Sequence, residues 1–299
     1  MLRINDYLKQ AGLHPCSYEI RGKVTIVKTK EQNIVVKEKN RSANASIFAY
    51  LKSRNFNYYP KIISTTDDYE ITEYIKEVTT PAEQKMTDMI NLVSLLHNKT
   101  THFKEIDEDD YKKIYEDIAN NIKYLVSYYN DIISVIETKV FMSPAEYLFA
   151  RNISKIYGAL NYCTGELEKW QKIMATKKKQ RFVVLHNNLD LTHFIRNDKS
   201  YLISWDKAKI DLPIFDIYKL YKKQGLDYDF EEILKNYEAA YPLLEEEKKL
   251  LFILLSLPNK IEFDRSEYTM CKAISREIDM LYKTEKIISP HYSKEGTKN

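Results

Sequence analysis

A chain of 299 residues that is 44% hydrophobic has enough material for a sizeable core and two lobes or domains. Charged residues make up 30% but leave a net charge of only +3, so nothing in the charge balance asks for nucleic acid as a partner. The three cysteines, Cys16, Cys163 and Cys271, form no CxxC pair, which argues against a zinc ribbon or a disulfide framework and fits thiols in a reducing compartment. The start, MLRINDYLKQAGLHPCSYEI, is amphipathic and lacks the apolar core of a signal peptide. The longest apolar run, Leu250–Leu257, is far too short to span a membrane. A soluble cytoplasmic protein is expected.

In chain order, an N-terminal helix is followed by SYEIRGKVTIVKTKEQNIVVKEKN, which predicts a three-strand meander broken at Arg21-Gly22-Lys23 and at Lys30–Asn33. A helix over about 43–54 follows, with Ile47, Phe48 and Leu51 on one face. KIIST and YEITEYIKEV predict two more strands, and the β-rich part is expected to end near Val78. Thr80-Pro81-Ala82-Glu83 and Ser143-Pro144-Ala145-Glu146 both read as capping boxes with proline in the first helical position. Between them Ile114, Ile118, Ile122, Leu125, Ile132 and Ile136 recur at helical spacing, and the tyrosines there read as packing. The basic run Lys177–Arg181 reads as a solvated connection before the strand FVVLH, and a hairpin turning at Asn197-Asp198 comes next. Helices fill the rest to about 286, with 287–299 expected as a disordered tail. The domains expected are 1–78, β-sheet plus one helix, and a helical 79–286.

The stretch VVLHNNLDLTHFI, residues 183–195, sets a polar loop with two histidines, two asparagines and an aspartate between apolar runs. A sheet with one helix, then long helices, then a strand-loop-hairpin is the layout of a bilobal kinase. The loop resembles the aminoglycoside phosphotransferase and choline kinase family, whose pattern runs H-G-D-x-x-x-x-N, a hairpin, I-D-W-x-x-A and P-x-x-D. His186 falls at the family's histidine, Asn188 at its catalytic aspartate, His193 at its metal-binding asparagine and Ser204 at its second metal-binding aspartate. Trp205, Ala208, Pro213 and Asp216 keep the family's identities and distances. LLHNKT, residues 95–100, resembles the family's L-x-x-L-H-x-x-T. Spore-coat-associated kinase-like proteins are a nearer comparison within the family.

The resemblance implies an α+β, bilobal protein kinase-like fold with a β-rich N-lobe and a mostly helical C-lobe. It implies Lys37 as the lysine that positions ATP, Gly22 in what remains of the phosphate-covering turn, and a hinge through Glu73 and Ile75 whose backbone would hold adenine. Ser46 falls where a glutamate would face Lys37, and Asp216 is read as a structural brace.

Phosphoryl transfer needs Mg2+ held by anionic oxygens and an aspartate to orient the acceptor hydroxyl. Asn188 cannot serve as a base, His193 is a poor Mg2+ ligand and Ser204 offers a neutral hydroxyl. Loss of a single catalytic group costs roughly 10³–10⁴-fold or more. The expectation is therefore a pseudokinase, a scaffold for a partner protein or for a nucleotide without Mg2+. ATP is an allowed ligand, Mg2+ is not expected, and no nucleic acid or membrane span is implied. The alternative is an atypical ATP-dependent phosphotransferase acting on a small-molecule hydroxyl, with Asp190 or Asp206 as displaced base or metal ligand. His186, Asp190 and His193 also allow a transition-metal site.

Overall fold

The computed structural model describes residues 8, 12–22, 24–38, 44–66 and 68–292. The expected N-terminal helix lies outside these residues, Leu8 apart. The chain forms two compact units, residues 1–100 with 186–209, and residues 101–185 with 210–299.

The first unit contains an antiparallel five-stranded sheet in the order β1-β2-β3-β5-β4. Its strands are β1 (Pro15–Arg21), β2 (Val24–Thr29), β3 (Asn33–Glu38), β4 (Ile62–Thr65) and β5 (Tyr69–Glu73). Val27, Ile34, Val36 and Ile71 project from one face and pack with Leu8 and Leu13. Because side chains alternate along a strand, Lys37 follows Val36 onto the opposite face. Arg21 pairs with Val24, so only Gly22 and Lys23 separate β1 from β2, and Gly22 takes the positive φ of 60° that this tight turn needs. Helix α1 (Asn44–Ser53) agrees with the periodicity and buries Leu51. Strand β5 stops at Glu73, well before Val78, because its last partner on β3 is Ile34 near the start of that strand.

Helix α2 (Ala82–Thr100) completes the first unit with β8 (Phe194–Arg196) and β9 (Ser200–Leu202), which form the expected hairpin. The helix begins one residue later than expected. Lys85 N–H donates to the Pro81 carbonyl, and the Thr80 hydroxyl donates to the Val78 carbonyl instead of capping. Asp88 of α2 pairs with Arg196 of β8. Helix and hairpin thus lie in the same compact unit as the sheet.

The second unit is mostly helical. Helices α3 (Glu108–Glu137) and α4 (Pro144–Met174) are followed by α5 (Ile214–Gln224), α6 (Phe230–Ala240), α7 (Glu245–Ser256) and α8 (Glu267–Tyr292). The Ser143 box forms as expected: Ser143 N–H donates to the Glu146 carboxylate at 2.9 Å, and Glu146 N–H donates to Ser143 Oγ at 3.3 Å. Helix α8 runs into the segment expected to be disordered because Ile287 and Ile288 are buried and extend its apolar stripe.

Two features of this unit overturn the sequence reading. Strand β6 (His102–Glu105) was not foreseen, and it pairs antiparallel with β7 (Lys179–Leu185). The basic run is a solvated connection only in part: Lys178 and Lys179 are exposed, but β7 begins inside the run and Arg181 is buried against Glu247, Nε to Oε1 2.9 Å. Arg181 also donates to the Pro242 carbonyl at 2.9 Å and lies over the Tyr241 ring.

Removing one partner of a buried ion pair strands the other charge. Arg181→Ala should therefore cost about 3–5 kcal/mol in urea unfolding, and Arg181→Met with Glu247→Leu clearly less. Burial pushes the Cys163 thiol up to about 12. At pH 8 it stays protonated, so iodoacetamide should label exposed Cys16 in the native protein and Cys163 only after unfolding.

Candidate functional site

The polar loop between β7 and β8 is stitched to the segment after β9. His186 is fully buried, and its Nε2 bonds the Ile203 carbonyl at 2.8 Å, so Nε2 carries the proton. The Ile203 N–H donates to the His193 carbonyl at 2.9 Å, and Asn187 Nδ2 donates to the Lys207 carbonyl at 2.7 Å. Trp205 Nε1 donates to the Leu202 carbonyl, and its ring meets the His186 ring edge-on at a centroid distance of 4.9 Å. Phe48, Phe56 and Tyr59 surround the same indole at 6.0–6.3 Å. Leu202 N–H donates to the Tyr58 carbonyl, and Val78 N–H to that of Arg196. Aromatic packing and backbone bonds thus hold the loop in place.

Two backbone positions here lie in the left-handed region, Asn187 at φ 60° and Ser204 at φ 64°. Asparagine tolerates this conformation, whereas serine does so at a cost that its surroundings must impose. Ser204 opens a short 3-10 helix, Trp205–Lys207, with no side-chain cap bond. That turn carries Asp206 to Lys37, and Nζ pairs directly with Oδ2 although the residues are 169 apart in sequence. Both side chains are part-buried. Ser46, at the position expected to carry the lysine's partner, is exposed.

The other candidate groups are engaged locally. His193 Nδ1 bonds the Asn188 carbonyl at 2.7 Å, which ties one substituted position to another. Asp190 Oδ1 accepts from Thr192 N–H at 2.8 Å and from Thr192 Oγ1 at 2.7 Å, capping the 3-10 helix Leu191–His193. His186, Asp190 and His193 therefore do not converge as a transition-metal set. Among the described residues no group of three or more His, Cys, Asp or Glu is placed to hold a metal ion. Glu73 pairs in register with Ile34, on the sheet face opposite Lys37, and its carboxylate accepts the Lys61 N–H at 2.9 Å. Ile75 is buried. Asp216 is fully buried in the first turn of α5.

Mg2+ bridging nucleotide phosphates calls for hard, anionic oxygens. The side chains expected to meet the metal or the acceptor hydroxyl are the neutral amide of Asn188, the imidazole of His193, bound to a carbonyl, and the hydroxyl of Ser204. The carboxylate that does arrive, Asp206, is neutralised by Lys37. The donor set does not fit Mg2+. The hairpin over the sheet is equally short of backbone N–H groups, with two residues between Arg21 and Val24. The Lys37–Asp206 contact was the part sequence reasoning missed. The sequence offers Asp206 as a displaced base or metal ligand, and no local pattern pairs it with the lysine.

Neither any protein-family model nor any curated protein matches the sequence. Solved structures do match in fold. An aminoglycoside phosphotransferase from Alicyclobacillus acidocaldarius subsp. acidocaldarius DSM 446 aligns with a TM-score of 0.69 at 9% identity, over 94% of this chain and 92% of that one. The AMP-bound spectinomycin phosphotransferase APH(9)-Ia aligns at 0.54 and 13% identity, over 100% and 95%. The choline kinase LicA from Streptococcus pneumoniae aligns at 0.50 and 16% identity, over 98% of each chain. Among the described residues no helix is long and apolar enough to cross a membrane.

His186→Ala should lower stability by about 1–3 kcal/mol in chemical denaturation, since it removes a buried bond together with its packing. Asp190→Asn keeps an oxygen for Thr192 and should change stability by less than about 0.5 kcal/mol, whereas Asp190→Ala should cost about 1 kcal/mol.

Proposed function

We propose that this chain, which has the α+β protein kinase-like fold of aminoglycoside phosphotransferases and choline kinases, is a pseudokinase: a scaffold with little or no phosphoryl transfer. The Lys37–Asp206 ion pair carries the reading. It cancels the positive charge that would meet a nucleotide's phosphates, and it occupies the carboxylate that would otherwise be open to a cation. Asn188 leaves the loop without a base at the expected place, and His193 is turned onto backbone. The residues that hold the fold, His186 and Trp205 above all, keep their packing.

ATP remains a candidate ligand in this reading, because the compared structures include nucleotide complexes, among them the spectinomycin phosphotransferase with AMP and with ADP. Lys37 would meet the phosphates only by parting from Asp206, so nucleotide binding would be weak and indifferent to Mg2+. Protein-partner binding and a cytoplasmic site of action belong to the same proposal.

One observation favours a second reading. Asp206 lies beside the lysine, so a carboxylate does reach the phosphate end of the pocket, and an atypical small-molecule phosphotransferase could use it as a metal ligand.

Thermal shift separates the two readings, since a ligand that binds only the native state raises Tm by mass action. ATP should stabilise the protein little, and equally with and without Mg2+. Asp206→Asn frees the lysine and should tighten Mg2+-free ATP binding by a factor of about 2–5, the worth of a half-exposed pair. Mg2+-dependent stabilisation abolished by Asp206→Asn would establish the second reading. In the first reading, measurable ATP turnover appears only when Asn188→Asp, His193→Asn and Ser204→Asp are combined.

A further inference from the structure

The helical unit holds a groove that plays no part in the polar loop. It opens between α4 and α8, reaches Ser256 at the end of α7, and has a volume of about 360 Å3. That is at the lower end of the ~300–1,000 Å3 range of pockets that hold a compact organic molecule. Gly158 and Ala159 line it from α4, Leu281 and Ile288 from α8. Glycine weakens a helix interior, yet Gly158 stands in the middle of the 31-residue α4. A Cβ there would meet nothing within 4 Å, so no packing inside the chain calls for the missing side chain. Its absence leaves the groove open.

One buried hydroxyl in the groove is left over. Ser256 is only 6% exposed, and its side chain makes no hydrogen bond to another described residue. Thr284 lines the same groove and is as deeply buried, but it is satisfied: its hydroxyl shares a 2.8 Å bond with that of Tyr221 and lies 3.4 Å from the Leu255 carbonyl. Buried polar groups ordinarily have partners, and an unmet one in an apolar pocket is a place for a group from outside the chain. The charges on the border are already committed. Lys155 pairs with Glu285 and also lies over the Tyr282 ring, Nζ 4.3 Å from its centroid. An ion entering here would lose hydration and gain no counter-charge.

We propose that this groove binds a small uncharged molecule with an apolar body and one hydroxyl or carbonyl group. The body covers Gly158, Ala159, Leu281 and Ile288, and the polar group hydrogen-bonds Ser256. The site lies wholly within the helical unit and is independent of whether Lys37 meets a nucleotide.

Three probes with one ring system test it at pH 7: 2-naphthol carries a hydroxyl, 2-naphthoate a carboxylate, and naphthalene no polar group. Each is titrated into the full chain and followed by its own fluorescence. 2-Naphthol should saturate one site and bind more tightly than either of the others. Ser256→Ala should weaken 2-naphthol by about two- to tenfold, the worth of one neutral hydrogen bond, and leave naphthalene unchanged. Gly158→Leu should abolish binding by filling the groove. Both variants keep the fold, since the first removes a hydroxyl without a described partner and the second replaces a mid-helix glycine by a better helix former. No saturable binding of 2-naphthol, or binding indifferent to Gly158→Leu, would overturn the proposal. So would a Ser256→Ala variant that loses nothing or loses 2-naphthol and naphthalene equally. Tighter binding of 2-naphthoate would overturn it as well, because the groove would then be a site for anions.

Discussion

Lys37 and Asp206 meet across 169 residues of sequence, and the character of the site follows from that meeting. A lysine on the open face of a sheet is a phosphate-binding group only while its charge is available. A carboxylate is a cation ligand only while its oxygens are. Paired, the two leave little net charge at that point of the first unit. At ordinary ionic strength a part-buried pair of this kind is worth about 1 kcal/mol, so it biases the site against a polyphosphate without sealing it.

The loop is held by packing of its own. His186, Trp205 and the rings of Phe48, Phe56 and Tyr59 form an aromatic cluster under the loop. The backbone bonds of Leu202 and Ile203 tie the hairpin to the same unit. None of these contacts depends on a metal or a phosphate. Asn188 and Ser204 bring no charge to the loop, and His193 braces it by bonding the Asn188 carbonyl.

The sequence was informative wherever the signal was local. Runs broken by turn residues placed β2 and β3, helical spacing placed α3, and Ser143-Pro144-Ala145-Glu146 located the start of α4. Several motifs in the right order pointed to the kinase-like fold before any coordinates. What escaped depends on tertiary partners. Thr80 has the composition of a cap but bonds Val78 instead, and Arg181 looked solvated until Glu247 covered it. Strand β6 exists because β7 lies beside it, and Lys37 meets Asp206 because a left-handed Ser204 aims the following turn. No window of neighbouring residues contains those facts.

The donors around Lys37 do not suit a divalent cation beside a nucleotide. The most direct measurement is the anomalous signal of Mn2+ in crystals grown with a non-hydrolysable ATP analogue. The account predicts no manganese held by protein carboxylates, with Lys37 either still on Asp206 or bonded to phosphate alone. A manganese ion ligated by Asp206 or Asp190 and by the nucleotide's phosphates would contradict it.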